Sequence, residues 1–255
     1  MTRSPLRLET AGGVRALILD RPERRNALNS ELIETLAGAL GDAAADRSVH
    51  LVLIRGDGPD FCAGADLDSL KRIAETSDVT ENLADAQALG ALLVLIRRHP
   101  KPVVAAVHGH ALAGGAGLAT ACDLVIARDD AVFGYPEIHL GFVPAMVMAL
   151  LRRLVGEKVA FELLVRGDRI GAEEAAGLGL VNRVVPAAEW EAGLRAYTKE
   201  LVEHSPSAVS LSKRLLYGMD GLSFEEAIAR GAEVNVLARM TPDTREGLRR
   251  FLERK

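Results

Sequence analysis

The stretch from Lys101 to Asp123 constrains the fold more than any other part of this chain. Val103 to Val107 is a short run of β-branched and small residues that reads as a strand. A turn of small residues follows. From Ala113 onward, Gly and Ala dominate, which reads as the start of a tightly packed helix. A strand entering a helix through a Gly-rich turn leaves backbone N–H groups aimed at one point. Such groups stabilise a developing negative charge.

The rest of the chain supplies a setting for that unit. Leu6 to Thr10 and Val14 to Asp20 flank Ala11-Gly12-Gly13 and read as a hairpin. Arg21 to Asn26 is a polar loop. Asn29 or Ser30 can cap a helix over Glu31 to Ala45, with Leu32, Ile33, Leu36 and Leu40 on one face. Val49 to Arg55 reads as a buried strand, and Gly56 to Pro59 as a turn. Ser69 to Ala74 is a helical patch, Thr76 to Thr80 is loose, and Glu81 to Arg98 is a long amphipathic helix stopped at His99-Pro100. Leu124 to Ala127 and Ala131 to Phe133 read as strands. Beyond Pro144, helical patterns cover 145–154, 158–165, 172–178, 189–203, 208–217, 224–238 and 244–254. Only Val181 to Val185 interrupts them as a strand. Strand–helix alternation followed by a helical tail predicts an α/β core over residues 1–200 and a helical region over 201–255. The Lys/Arg-rich last helix reads first as a solvated face.

Composition bounds the function classes. At 255 residues and 49% hydrophobic content the chain can bury a sizeable core without staples. A formal net charge of −4 argues against a nucleic-acid or anionic-membrane footprint, while leaving room for a local basic patch. Cys62 and Cys122 make no disulfide framework. The N-terminus lacks the apolar core of a signal peptide, and no apolar run approaches the ~20 residues of a membrane span. The expectation is a soluble cytoplasmic protein.

Several chemistries lack their motifs. There is no P-loop, no Gly-x-Ser-x-Gly elbow and no common zinc signature. Gly115-Ala-Gly117 lacks the third glycine of the dinucleotide fingerprint. No metal or separate cofactor is expected. Two loops and one carboxylate remain. Ala63-Gly-Ala-Asp66 can present the Ala65 N–H, and Ala113-Gly-Gly-Ala116 can present the Gly114 N–H. Two such groups from separate loops can grip one carbonyl oxygen. Glu137 sits among apolar neighbours just after Pro136, where burial would raise its pKa and suit it to shuttle a proton. Taken singly, each loop also fits plain turn chemistry, and Glu137 also fits an exposed loop charge.

Taken together, Phe61 to Leu67, Lys101 to Asp123 and Tyr135 to Gly141 closely resemble the crotonase (enoyl-CoA hydratase/isomerase) family. So do Arg21-Pro22 with Asn26-Ala-Leu28, and Gly171 to Ala175 with Gly177 to Asn182. The resemblance covers nearly the whole chain. It implies a spiral of β-β-α units with a C-terminal helical region that builds trimers, often paired into hexamers. It places Ala65 and Gly114 at the oxyanion-hole positions for the thioester oxygen of an acyl-CoA. Glu137 falls at one of two catalytic glutamates. The backbone of Ala63, Gly64, Ala65, Asp66 and Leu67 falls at the bend contacting CoA adenine and pantetheine. Arg24, Arg25 and Ala27 lie in the loop where members often place basic residues near CoA phosphates. Coenzyme A would be part of the substrate.

One position departs. The second hydratase glutamate would fall three residues after Gly114, where this chain has Gly117. His110, Asp68 and His139 are conceivable substitutes, each with an ordinary structural or solvent-exposed reading. His108, where the family often has Asn, is expected to bond backbone within its turn. Both cysteines read as small buried residues. The leading expectation is hydration of an enoyl-CoA through an oxyanion-stabilised enolate. The alternatives are a Δ3,Δ2-enoyl-CoA isomerase, an acyl-CoA decarboxylase or lyase, and a CoA-binding subunit with little catalysis.

Overall fold

The computed structural model describes residues 4–75 and 78–253. Met1 to Arg3, Thr76 and Ser77 of the stretch read as loose, and Arg254 and Lys255 of the last helix lie outside the described residues.

Strands β1 (Leu6–Ala11) and β2 (Val14–Leu19) pair antiparallel across the Gly12-Gly13 turn, as the sequence predicts. Helix α1 (Ser30–Ala45) starts at Asn29, whose side chain accepts from the Leu32 N–H at 2.9 Å. Three strands then join β2 in parallel succession: β3 (Leu51–Gly56), β4 (Val103–Val107) and β6 (Leu124–Arg128). The edge strand β9 (Arg183–Val185) completes a six-stranded sheet in the order β1-β2-β3-β4-β6-β9.

Each step along this sheet is followed by a short second strand. After β4 comes β5 (His110–Leu112), and after β6 comes β7 (Val132–Gly134). The two pair in parallel, and β8 (Arg169–Gly171) closes a three-stranded sheet β5-β7-β8. After β3 the same step is taken by Cys62, which bridges in parallel to Ala111. Helices follow each pair: α2 (Leu67–Glu75) and α3 (Val79–Arg98), then α4 (Gly114–Ala121), then α5 (Ala145–Leu154) and α6 (Glu157–Arg166). This is the β-β-α spiral that the resemblance implies. β5 and β8 escape a reading of the sequence because His110–Leu112 and Arg169–Gly171 lack the adjoining β-branched or aromatic pair that marks the equally short β7 and β9.

The parallel sheet is covered on both faces, so β4 is buried throughout and reads as an unbroken apolar run. On one face Val52, Ile54, Val103 and Ala105 meet α1, α3 and α4. On the other, Leu51, Leu53, Val104 and Ala106 meet Trp190, Leu194 and Tyr197 of α8 (Trp190–Val202). Helix α7 (Ala172–Gly177) lies between β8 and β9. The tail comprises α9 (Pro206–Gly218), α10 (Phe224–Arg239) and α11 (Pro242–Glu253). Lys213 and Tyr217 tie α9 to the spiral. Lys213 Nζ donates to Asp123 Oδ2 at 2.7 Å and to the Ile96 and Lys101 carbonyls, while the Tyr217 hydroxyl donates to Asp123 Oδ1 at 2.8 Å.

α3, with 20 residues, is long and apolar enough by composition to cross a membrane. In the fold it packs on α1 and α4 and buries Leu92, Leu93 and Ile96. The sequence places this helix from Glu81; it starts two residues earlier, at Val79 in the stretch read as loose, where Asp78 caps it.

Candidate active site

The first loop lies between β3 and α2 and is laced from both sides. Phe61 N–H donates to the His108 carbonyl and Cys62 N–H to His110, while Leu112 N–H donates to Cys62. On its other side Ala63 N–H donates to Arg25, Leu28 N–H to Gly64, and Asp66 N–H to Leu28. The last two bonds form the parallel bridge between Leu28 and Ala65. In that geometry the two bonds use Gly64 and Asp66, so the N–H of Ala65 points away from its partner. Gly64 has φ +103°, a conformation suited to glycine.

The second loop opens α4. Its N-cap, Ala113, has φ 49° and ψ −123°, a region that costs a residue with a Cβ roughly 1–3 kcal/mol. The N–H groups of the first helical turn, starting at Gly114, have no intrahelical acceptor. The loops touch: a Cβ on Gly64 would lie 3.0 Å from the Ala113 Cβ. A Cβ on Gly115 would lie 2.2 Å from the Cys62 carbonyl oxygen, so only glycine permits this approach. The fold thus brings the Ala65 and Gly114 segments together, in an arrangement suited to gripping one oxygen anion.

Glu137 stands on a short 3-10 turn, Pro136–Leu140, which follows β7. That turn is tied to α4 through Ala113 N–H, which donates to the Gly134 carbonyl at 2.9 Å. The carboxylate is half-buried, and its Oε2 is buried with no hydrogen-bond partner among the described residues. Burial pushes its pKa above the usual 4.5, with only its own N–H opposing the shift. A half-buried carboxylate with one unpartnered oxygen is poised to accept and return a proton.

At Gly117 an added Cβ would lie 2.8 Å from Val147 Cγ2 of α5. An apolar side chain occupies the space next to the position where a second acid would be rooted. The three conceivable substitutes are placed elsewhere. His110 is tied to Asp60, with Nδ1 2.7 Å from Oδ1. Asp68 is exposed beside Arg24 and Lys71. His139 is exposed and lies against Gly167.

The remaining predicted residues split into two groups. Ala63, Gly64 and Asp66 belong to the laced loop, whereas Leu67 begins α2 and is exposed. The buried Asp66 carboxylate pairs with Arg21 at 2.7 Å and accepts the Asp68 N–H; burial would raise its pKa, but these partners hold it below the usual value. Arg21 also donates to the carbonyl of the buried Ala27. Arg24 stays largely exposed, 3.6 Å from Asp68. Arg25 turns to the buried Asp60, 2.6 Å away, and to His110. Burial alone would raise Asp60, but Arg25 and the His110 N–H and ring hold it at about 2. His108 bonds the Gly58 carbonyl at 2.9 Å, a backbone contact of the kind expected. Both cysteines are buried, and burial pushes the Cys62 thiol up to about 12, leaving it inert as a nucleophile. Arg21 and Asp60 carry this loop, yet in the sequence their spacings to Asp66 and Arg25 give no sign of pairing.

Comparisons with known proteins converge. A family model for enoyl-CoA hydratase/isomerase matches residues 9–255. A Thermus thermophilus protein is 42% identical over 244 residues, covering 96% of each chain. The 2,3-dehydroadipyl-CoA hydratase of Escherichia coli is 35% identical over 94% of this chain and 92% of its own. The crystal structure of an enoyl-CoA hydratase from Mycobacterium smegmatis superposes with a TM-score of 0.94 at 34% identity, covering 99% and 98% of the two chains.

Proposed function

The chain belongs to the enoyl-CoA hydratase/isomerase family, and from that premise we propose that it hydrates an enoyl-CoA with Glu137 as its only acid–base group. The Ala65 and Gly114 N–H groups hold the thioester oxygen. Glu137 takes a proton from water as the oxygen attacks C3, and the electron pair of the double bond moves into the thioester enolate. Glu137 then returns that proton to C2, so one carboxylate serves both halves and ends ionised. The single observation that supports this reading most is the buried, unpartnered Oε2 of Glu137. The hydratases among the relatives favour addition of water.

A second reading has its own support. Val147 beside Gly117 leaves no room for a water-orienting acid without repacking. A Δ3,Δ2-isomerase needs only one carboxylate, which removes a proton at C2 and returns it at C4. The laced Ala63–Asp66 loop and the exposed Arg24 are the proposed CoA contacts. The exposed Phe224, Ile228, Leu237 and Met240 of α10 and the turn after it support a homotrimer or a pair of trimers built on residues 201–255.

The test is a substrate panel. Crotonyl-CoA should lose its conjugated enoyl-thioester absorbance on addition of the protein. Appearance of that absorbance from a 3-enoyl-CoA, without hydration of crotonyl-CoA, would establish the isomerase instead. Thermal stabilisation by acyl-CoA with neither change would reduce the protein to a binder.

A further inference from the structure

Glu137 is carried by a short segment that rests on one side against Gly167, through Ile138 and His139, and meets α4 on the other. The 3-10 turn Pro136–Leu140 has five residues, and its N-cap, Tyr135, makes no side-chain capping bond. The backbone bond from Ala113 to Gly134 ties the segment to α4 at one point, at the end of β7, which is itself paired with β5 and β8. A second pin lies within the core. The Tyr135 hydroxyl is 2.8 Å from Thr120 Oγ1, and Thr120 Oγ1 is 2.7 Å from the Ala116 carbonyl.

The proton positions in this chain of bonds follow from its end. A carbonyl can only accept, so the Thr120 hydroxyl donates to Ala116. Thr120 Oγ1 is then the acceptor, and Tyr135 O–H is the donor. Both side chains are buried, Tyr135 to 1% exposure. A phenylalanine would fill the same core volume without a polar group that must be satisfied. Burial also pushes the tyrosine hydroxyl up to about 12, so it stays neutral across the working range and moves no proton in the reaction. Thr120 lies on α4 six residues after Gly114, so the bond joins the helix presenting the oxyanion donor to the segment presenting the carboxylate.

We propose that Tyr135 and Thr120 are positioning residues, whose hydrogen bond sets the Glu137 carboxylate in register with the oxyanion donor at Gly114. This rests on Glu137 being the acid–base group. The two pins act as a lever pair. Ala113–Gly134 fixes where the segment leaves β7, and Tyr135–Thr120 fixes its rotation two residues before the acid. A misplacement of about 1 Å at a reacting group can lower turnover about 10²-fold.

Four variants test the pair: Tyr135→Phe, Thr120→Val, the double variant, and Thr120→Ser. Each is measured for kcat, KM and Tm with crotonyl-CoA or a 3-enoyl-CoA, whichever the wild type turns over. Glu137→Gln serves as the control on the underlying reading. Tyr135→Phe and Thr120→Val should each lower kcat roughly 10- to 100-fold with KM within about twofold. The double variant leaves no hydroxyl unpaired, so its Tm should recover toward wild type while kcat stays low. Thr120→Ser keeps the hydroxyl and should regain most of the kcat lost in Thr120→Val. Recovery of kcat together with Tm in the double variant would reduce the pair to a stability element and overturn the proposal. So would unchanged kcat in both single variants, or a KM effect without a kcat effect. If Glu137→Gln itself retains full activity, the failure belongs to the proposed reaction and not to the positioning pair alone.

Discussion

The wall that carries Ala65 and Gly114 and the wall that carries Glu137 are held by the fold to different degrees. The first is laced by backbone bonds from both neighbours and pressed so closely that Gly115 has no room for a methyl group. The second is a five-residue turn whose one carboxylate has an oxygen with no partner among the described residues. Enolate stabilisation is common to hydration, isomerisation, decarboxylation and C–C cleavage. The proton-transfer groups choose among them. On the proposed mechanism the laced wall therefore defines the class of chemistry, and the wall that carries Glu137 defines the reaction.

The largest break in this comparison is Glu137→Gln. It should cost activity toward the upper end of roughly 10²–10⁴-fold in a steady-state assay, with acyl-CoA binding retained. Stability should move the other way. Because the folded-state pKa of Glu137 is raised, the proton it binds contributes stability that is fully present at low pH and is lost as pH rises through the raised value. A neutral glutamine escapes that loss, so Tm at neutral pH should equal or exceed that of the wild type. In the wild type, kcat/KM should fall on the acid side through a limb above 4.5, as the carboxylate takes up its proton.

Gly115→Ala attacks the laced wall. The methyl group would force α4 away from Cys62 and separate the two donors. Losing one such donor costs about 10²–10³-fold in kcat, and overpacking costs roughly 1–3 kcal/mol, read in a denaturant titration. Gly117→Glu alone should be destabilised by a similar amount through its clash with Val147. Paired with Val147→Ala, it should fold and shift the ratio of hydration to isomerisation toward hydration, measured with both substrates. The smallest effect is expected at Ala113→Gly. Relief of the positive φ should raise stability by about 1 kcal/mol with little change in turnover.

The two walls also differ in how well the sequence discloses them. The Gly-rich helix start, the small-residue loop after β3 and the apolar β4 run are local patterns, and each maps onto the element it predicts. Glu137 stands out in the sequence by its apolar neighbours, yet Ile138, Leu140 and Phe142 are themselves exposed, and its half-burial comes from the fold. The supports of these groups were not legible. Asp60 and Arg25 are 35 residues apart, Arg21 and Asp66 are 45 apart, and Asp123 and Tyr217 are 94 apart. No periodicity links such pairs, because the spiral alone brings them together. Val147 beside Gly117 is of the same kind. The resemblance marks Gly117 as the place of a second acid, but only packing shows that a methyl group stands against it.

The central claim is that an enolate held by the Ala65–Gly114 wall exchanges its proton through Glu137 alone. The most direct measurement is exchange of the C2 hydrogens of butyryl-CoA in D₂O, followed by NMR, for the wild type and Glu137→Gln. A saturated acyl-CoA can be neither hydrated nor isomerised, so the exchange isolates the step shared by every reading. The account predicts exchange by the wild type and none above background in Glu137→Gln at saturating ligand. Exchange in Glu137→Gln at the wild-type rate would contradict it.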